Sequence, residues 1–178
     1  MLFRKEEYDV ERELREWFRG AGRVVVVGVG NPIRMDDFVG VKIVRDLRGK
    51  VDSSRVMLIE AETIPENHIQ GIIDYKPTHI LIIDAAMLEL KAGESRLVLP
   101  NQLLTFSAFT THMLPLRLFC EYLKKALRAE VALLLIEPKQ TDFNEGLTYE
   151  IQMSSKEITN ILLAFLKMDR GRTITDSP

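Results

Sequence analysis

The chain has 178 residues, of which 46% are hydrophobic and 28% charged, and its formal net charge is -2. These totals are typical of a globular domain, and they exclude a basic field that would attract nucleic acid or an anionic membrane. No apolar run reaches the ~18 residues of a membrane span, and the charged N-terminus lacks the core of a signal peptide. We therefore expect a cytoplasmic protein with no membrane insertion and no nucleic-acid partner.

The first predicted element is a helix over residues 4–19, because Val10, Leu14 and Trp17 recur at helical spacing. Glycines follow at positions 20 and 22 and end the periodic run. Such a helix either covers the sheet or binds a partner, and covering the core is the simpler interpretation.

The next stretch, VVVVGVGNPIRMDDFVG, begins at Val24 and predicts a strand followed by a sharp turn. Four consecutive valines are typical of a parallel strand that is buried on both faces. Two adjacent carboxylates, Asp36 and Asp37, then precede a helix predicted over 37–47. Ligands of open α/β sheets bind at the carboxyl ends of strands, so these acids lie where a site is expected.

The remaining chain alternates between strand and helix patterns. Strands are predicted at 56–60, 79–84, 95–99 and 131–137, and helices at 65–76, 113–128 and 158–168. Only about ten residues separate the third and fourth strands, which is short for a parallel crossover, so we expect the fourth strand to run antiparallel to the third. The last helix is placed by Ser154 and Glu157, which have the spacing of a capping box.

This alternation predicts an α/β fold, specifically a three-layer sandwich. Its sheet is expected to be twisted, five-stranded and mostly parallel with one antiparallel strand, and helices are expected on both faces. We expect one domain over residues 1–168, in which 1–22 form an extra N-terminal helix. Residues 169–178 are polar and are predicted to be a disordered tail.

Three features converge on one edge if this fold is correct. Asp37 follows the first strand, Asp84 closes the third, and His112 precedes the helix that leads into the fifth. Two carboxylates and an imidazole can bind a divalent transition metal, which could polarise a carbonyl or activate a water. Each residue also has a simpler interpretation, because aspartates often cap helices or bond loop amides and a lone histidine is often structural.

The other histidines and the cysteine are weaker candidates. His68 lies in an acidic stretch that could belong to the same rim, whereas His79 opens a strand and is interpreted as structural. Cys120 is the only cysteine, so the chain has no internal disulfide framework. It lies in a predicted apolar helix, and a buried, inert thiol is the simpler interpretation.

The motifs GVGNPIRMDD with Gly40, then LIIDAA, then TTH, resemble those of the hydrogenase maturation endopeptidases. The likeness is greatest to the branch that processes formate-hydrogenlyase-type, group 4 nickel-iron hydrogenases, and it runs from about Val24 to Phe165. It includes TIPEN after the second strand and EP after the fifth. The resemblance implies Asp37, Asp84 and His112 as the metal-binding set, with Asp36 as a cap or as a partner of a ligand.

The resemblance also implies a function. An enzyme of this family is a peptidase that removes the C-terminal extension from the precursor of a nickel-iron hydrogenase large subunit after nickel insertion. Nickel in the substrate is then the recognition signal, so we expect no tightly bound metal of the protease's own. The chain departs from the family pattern at Met35, at Phe38 and at Ala61-Glu62, where glycines are common, and bulkier residues there could narrow the cleft. No nucleophile is assigned, because the sequence has no convincing Ser-His-Asp or Cys-His set.

Two alternatives remain open at this point. A peptidyl-tRNA hydrolase-like enzyme also has G-x-G-N-P after a buried strand, but it needs an early histidine and a basic face, and the first histidine here is His68. A non-enzymatic module that binds a nucleotide or a metal is the other alternative. The third glycine of the dinucleotide fingerprint and a Walker lysine are both missing from the sequence.

Overall fold

The computed structural model of the protein describes residues 9–52, 54–103 and 113–167, except for the side chains of 113 and 114. The strands are β1 Val24–Val29, β2 Val56–Glu62, β3 His79–Ala85, β4 Ser95–Val98 and β5 Glu130–Ile136. The α-helices are α1 Val10–Trp17, α2 Val39–Leu47, α3 Ile69–Tyr75, α4 Met113–Ala126 and α5 Tyr149–Leu166. Short 3-10 helices cover Met35–Phe38, Pro65–His68 and Pro100–Gln102. The predicted tail, 169–178, lies outside the described residues, and the extent of the single domain stays a prediction.

The five strands form one sheet in the order β2-β1-β3-β5-β4. The pairs β1–β2, β1–β3 and β3–β5 are parallel, and β4 is antiparallel to β5. The predicted mixed sheet is therefore confirmed. The direction of β4 is opposite to that of β3, as expected, but β4 pairs with β5 because both sides of β3 are already occupied by β1 and β5.

Helices cover both faces of the sheet, which confirms the three layers. In β1, Val24 and Val26 face the core beneath α1, α2 and α5, whereas Val25 and Val27 face the core beneath α3 and α4. Alternate residues of a strand point to opposite faces, so a strand covered on both sides needs a continuous apolar run. Leu14 of α1 is fully buried in the first of these cores, which supports the interpretation that α1 covers the sheet.

The predicted start of the last helix is wrong. α5 begins at Tyr149 rather than near residue 158, and Ser154 lies inside it. The hydroxyl of Ser154 donates to the carbonyl of Gly93 at 2.7 Å, so this side chain ties α5 to the loop before β4 and caps no helix. None of the described helices has the length and apolarity needed to cross a membrane.

Candidate functional site

All four parallel strands end at the same edge of the sheet, and the predicted acids lie at this edge, at the end of β3 and in the segment after β1. We name the stretches at the ends of these four strands the edge segments. They are residues 30–38 after β1, 62–68 at the end of β2, 86–94 after β3 and 137–148 after β5.

Three glycines let the first edge segment and α2 approach the sheet closely. A Cβ on Gly30, whose φ is +140°, would lie 1.8 Å from the carbonyl oxygen of Asp37. A Cβ on Gly28 would lie 2.5 Å from the carbonyl oxygen of Gly40, and a Cβ on Gly40 would lie 2.1 Å from that of Ile83. Backbone therefore packs directly on backbone, which holds Asp37 beside the end of β3.

The carboxylate of Asp37 is fixed by the turn that precedes it. Its Oδ2 accepts a hydrogen bond of 2.8 Å from the backbone N–H of Asn31. Asp37 is only partly buried and lies in the 3-10 helix that leads into α2. One of its oxygens is thus oriented by the first edge segment, as expected of a preorganised binding group.

Asp84 is fully buried at the end of β3. Its Oδ1 accepts a bond of 2.9 Å from the N–H of Ala85, whereas its Oδ2 is buried and has no hydrogen-bond partner in the described part of the chain. Burial raises the pKa of this carboxyl well above its usual value, and the negative charge of Asp37 raises that pKa further. A buried polar atom without a partner costs about 1–3 kcal/mol, so this oxygen is well suited to receive a cation.

The structure therefore brings together two of the three predicted metal-binding residues, Asp37 and Asp84. His112, the third, lies outside the described residues, and α4 begins at the next position. α4 contacts the 3-10 helix Pro65–His68 at the carboxyl edge of β2. Carboxylate oxygens and an imidazole nitrogen are a donor set that suits nickel or zinc, and the partnerless oxygen of Asp84 fits such an ion.

Asp36 has a role that the sequence analysis missed. Its fully buried carboxylate accepts four hydrogen bonds from the segment after β5, and it forms no cap with the 3-10 helix or α2. The donors are the N–H groups of Lys139 at 3.0 Å, Gln140 at 2.9 Å and Thr148 at 2.7 Å, and the hydroxyl of Thr148 at 2.9 Å. The prediction of a capping role is wrong, because the donors lie more than one hundred residues further along the chain.

The edge segments after β1 and β5 are also joined through their backbones. The N–H of Met35 donates to the carbonyl of Asn144 at 2.9 Å, and the N–H of Asn144 donates to that of Ile33 at 3.1 Å. Because β3 lies between β1 and β5 in the sheet, the joined segments pass across the end of β3, where Asp84 is buried.

Replacing Asp36 with asparagine tests this connection. The amide retains one acceptor and turns an NH2 group toward N–H donors, so we expect the free energy of unfolding to fall by about 2–3 kcal/mol. Urea denaturation measures the loss, and hydrogen exchange should show faster exchange at the amides of Lys139, Gln140 and Thr148. The control Asp142→Asn, an exposed position in the same segment, should change stability by less than about 0.5 kcal/mol. Unchanged protection of the three amides in Asp36→Asn would contradict the proposed connection.

Glu137, the acid of the EP pair, holds another edge segment. Its buried carboxylate accepts hydrogen bonds from the N–H groups of Leu88 at 2.5 Å and Leu90 at 3.2 Å. It thereby fixes the segment that follows Asp84. In the sequence, the position of Glu137 directly after an apolar strand is the only sign of this role. Its partners, the N–H groups of Leu88 and Leu90, could not be predicted from spacing.

Two of the departures from the family glycine pattern have left-handed backbones. Met35 has a φ of +44° and Glu62 a φ of +50°, and both lie in edge segments. This region favours glycine, and other L-residues adopt it at a cost of about 1–2 kcal/mol. The chain thus keeps the backbone shape that glycine allows while placing a side chain at each position.

Cys120 and His79 have structural roles. The Cys120 thiol is fully buried in α4, and desolvation raises its pKa to about 12, so it stays protonated and cannot serve as a nucleophile at neutral pH. His79 is buried at the start of β3, and its Nε2 lies 3.0 Å from the carbonyl oxygen of Trp17. Both interpretations made from the sequence are confirmed.

Comparisons with known proteins agree on one family. The family model described as HycI, hydrogenase maturation protease, matches residues 41–165. A putative hydrogenase maturation protease of Methanocaldococcus jannaschii is 32% identical over 161 residues, which cover 86% of this chain and 94% of the relative. The hydrogenase 3 maturation protease of Escherichia coli K12 is 30% identical over 128 residues, covering 72% of this chain and 81% of the relative.

A solved structure supports the same grouping. The crystal structure of the NiFe hydrogenase maturation protease HycI from Thermococcus kodakarensis KOD1 superimposes with a TM-score of 0.81 at 27% identity. The superposition covers 88% of this chain and 99% of that protein. The architecture of five strands with helices is therefore shared along nearly the whole length of the comparison chain.

Proposed function

The chain belongs to the hydrogenase maturation protease family, and on that premise we propose that it removes the C-terminal extension from the precursor of a nickel-iron hydrogenase large subunit. Cleavage follows nickel insertion, and Asp37, Asp84 and His112 contact the nickel that the precursor carries. The proposal places this reaction in the cytoplasm. Because the chain belongs to a protease family, we no longer propose a peptidyl-tRNA hydrolase-like enzyme or a non-enzymatic module.

The observation that carries the proposal is the partnerless buried oxygen of Asp84 close to Asp37. Both the burial of Asp84 and the nearby charge of Asp37 oppose ionisation of the Asp84 carboxyl. A divalent cation reverses this balance, because it stabilises both carboxylates at once. The pair is therefore suited to a metal that arrives with the substrate and leaves with the product.

Nickel in the substrate provides a check on maturation. A precursor without nickel presents no cation to the acid pair, so it gains no stabilisation from that contact and binds less productively. The protease then needs no tightly held metal of its own. Oxygen and imidazole ligands suit a transient contact with nickel better than a cage of thiolates would.

The test mixes the full-length protein with a nickel-loaded large-subunit precursor and follows the loss of mass at the precursor's C-terminus. We expect cleavage by the wild type, a loss of at least about a hundredfold in Asp37→Asn and Asp84→Asn, and no cleavage of the nickel-free precursor. Glu157→Gln, an exposed carboxylate on α5, is the matched control and should cleave at the wild-type rate. Full-rate cleavage by both aspartate variants would refute the assignment of these residues.

A further inference from the structure

Each edge segment exposes one large apolar side chain. A buried position would remove these groups from water, yet all four lie in the segments at the edge of the sheet where the acid pair is found. Large apolar side chains exposed together at one edge are typical of an interaction site. They are Ile33 at 51% exposure, Ile64 at 52%, Met87 at 53% and Phe143 at 75%.

The most exposed of the four, Phe143, is held in place. The guanidinium of Arg34 lies 4.9 Å from the centre of its ring, and the backbone of the next residue, Asn144, bonds to the first edge segment. Arg34 also donates from Nε to the carbonyl of Thr141 at 3.2 Å. A side chain that is ordered before binding loses less entropy when a partner covers it.

The charge around this apolar surface is negative. The edge segments contain exposed carboxylates that form no ion pair with any other residue in the described ranges, namely Glu62, Glu66, Glu89, Asp142 and Glu145. These segments contain three lysines and arginines: Lys139 is paired with Glu150, Arg34 stacks on Phe143, and Lys91 is exposed. The five exposed carboxylates thus outnumber the one exposed cation that has no ion pair in the described ranges. The surface therefore complements apolar groups that are flanked by basic side chains.

We propose that the edge segments form the docking surface for the body of the precursor, and that they receive an apolar segment flanked by lysine or arginine side chains. This inference rests on the proposed function, because it takes the precursor as the partner. Continuity with the acid pair supports it, since Ile33 lies four residues before Asp37 and Met87 three residues after Asp84. Because Asp84 is buried and Asp37 partly buried, the pair can contact a metal in a protein substrate only if that protein covers the surrounding loops.

The test measures binding and cleavage separately, using full-length protein and nickel-loaded precursor. Biolayer interferometry gives Kd, and mass spectrometry gives the cleavage rate at saturating precursor. We expect Phe143→Ser to raise Kd about tenfold with little change in the saturated rate. The matched control is Tyr122→Ser, which removes a 52% exposed aromatic side chain outside the edge segments, near the end of α4 that leads to the start of β5, and should bind like the wild type.

The charge component has its own variants. Glu66→Lys should raise Kd at least threefold, and higher salt should weaken wild-type binding, because the attraction is screened. Glu16→Lys, an exposed position near the end of α1, is the control and should have no effect. Wild-type Kd in both Phe143→Ser and Glu66→Lys would overturn the docking surface.

Two further outcomes separate this inference from its premise. If the wild type binds the precursor through Phe143 but never cleaves it, the docking surface stands and the proposed function fails. If the wild type is a dimer by sedimentation and Phe143→Ser makes it a monomer, the surface is a contact between two copies, and the docking inference is overturned.

Discussion

Asp84→Asn is expected to make the protein more stable at neutral pH in the absence of metal. The wild type buries this carboxyl completely, and both burial and the charge of Asp37 raise its pKa. Each unit by which folding raises the pKa of a carboxyl corresponds to about 1.4 kcal/mol of lost stability, at a pH above both its folded-state and its unfolded-state pKa. We expect the variant to gain about 1–3 kcal/mol in urea denaturation with a chelator present.

The pH dependence follows from the direction of this shift. The folded wild type binds more protons than the unfolded chain once the pH exceeds the unfolded value of about 3.9, so its stability falls as the pH rises from there toward the raised pKa. The asparagine variant lacks this group. The difference in stability between the two proteins should therefore be small near pH 4 and should grow as the pH rises.

A second buried acid provides the contrast. Glu137→Gln replaces a carboxylate that accepts two backbone hydrogen bonds, so it should destabilise the protein by about 1–3 kcal/mol. If Asp84→Asn raises the free energy of unfolding and Glu137→Gln lowers it, the two carboxylates have different roles. Asp84 is then an unsatisfied group suited to bind a cation, and Glu137 a group that holds a loop. A loss of stability in Asp84→Asn equal to that in Glu137→Gln would contradict this distinction.

Gly40→Ala is expected to disrupt the site through a single methyl group. The new Cβ would lie 2.1 Å from the carbonyl oxygen of Ile83 and 2.4 Å from that of Val29, and both of these atoms belong to the sheet backbone. The start of α2 must then move away from β1 and β3, which separates Asp37 from Asp84. We expect unfolding to become easier by about 3 kcal/mol, together with a large loss of cleavage.

Gly71→Ala is the matched control for Gly40→Ala. Gly71 lies in α3, is exposed, and has no atom within 4 Å of an added Cβ. Alanine should stabilise the helix there by about 0.5–1 kcal/mol, because glycine is the poorer helix former. Thermal or urea unfolding of both variants tests the pair, and equal stability of Gly40→Ala and the wild type would show that the helix can move without penalty.

The sequence predicted most of the sheet because burial on two faces leaves a continuous apolar run. β1, β3 and β5 are such runs, and all their described residues except Glu130 are buried. The start of α5 was harder to place, because Ser154 and Glu157 have the spacing of a cap although they lie inside a helix. Local spacing does not reveal that the hydroxyl of Ser154 bonds to Gly93.

By itself the sequence determined the fold class, the family resemblance and the common edge of Asp37 and Asp84, since these depend on local patterns and on the rule that parallel strands end together. Only the tertiary structure decided that β4 pairs with β5 and that Asp36 holds the segment after β5. The bonded atoms of Asp36 and Thr148 are 112 residues apart. The sequence pattern indicates which side chains are buried. The partner of a buried polar group depends on which segments the fold brings into contact, and those segments can be far apart along the chain.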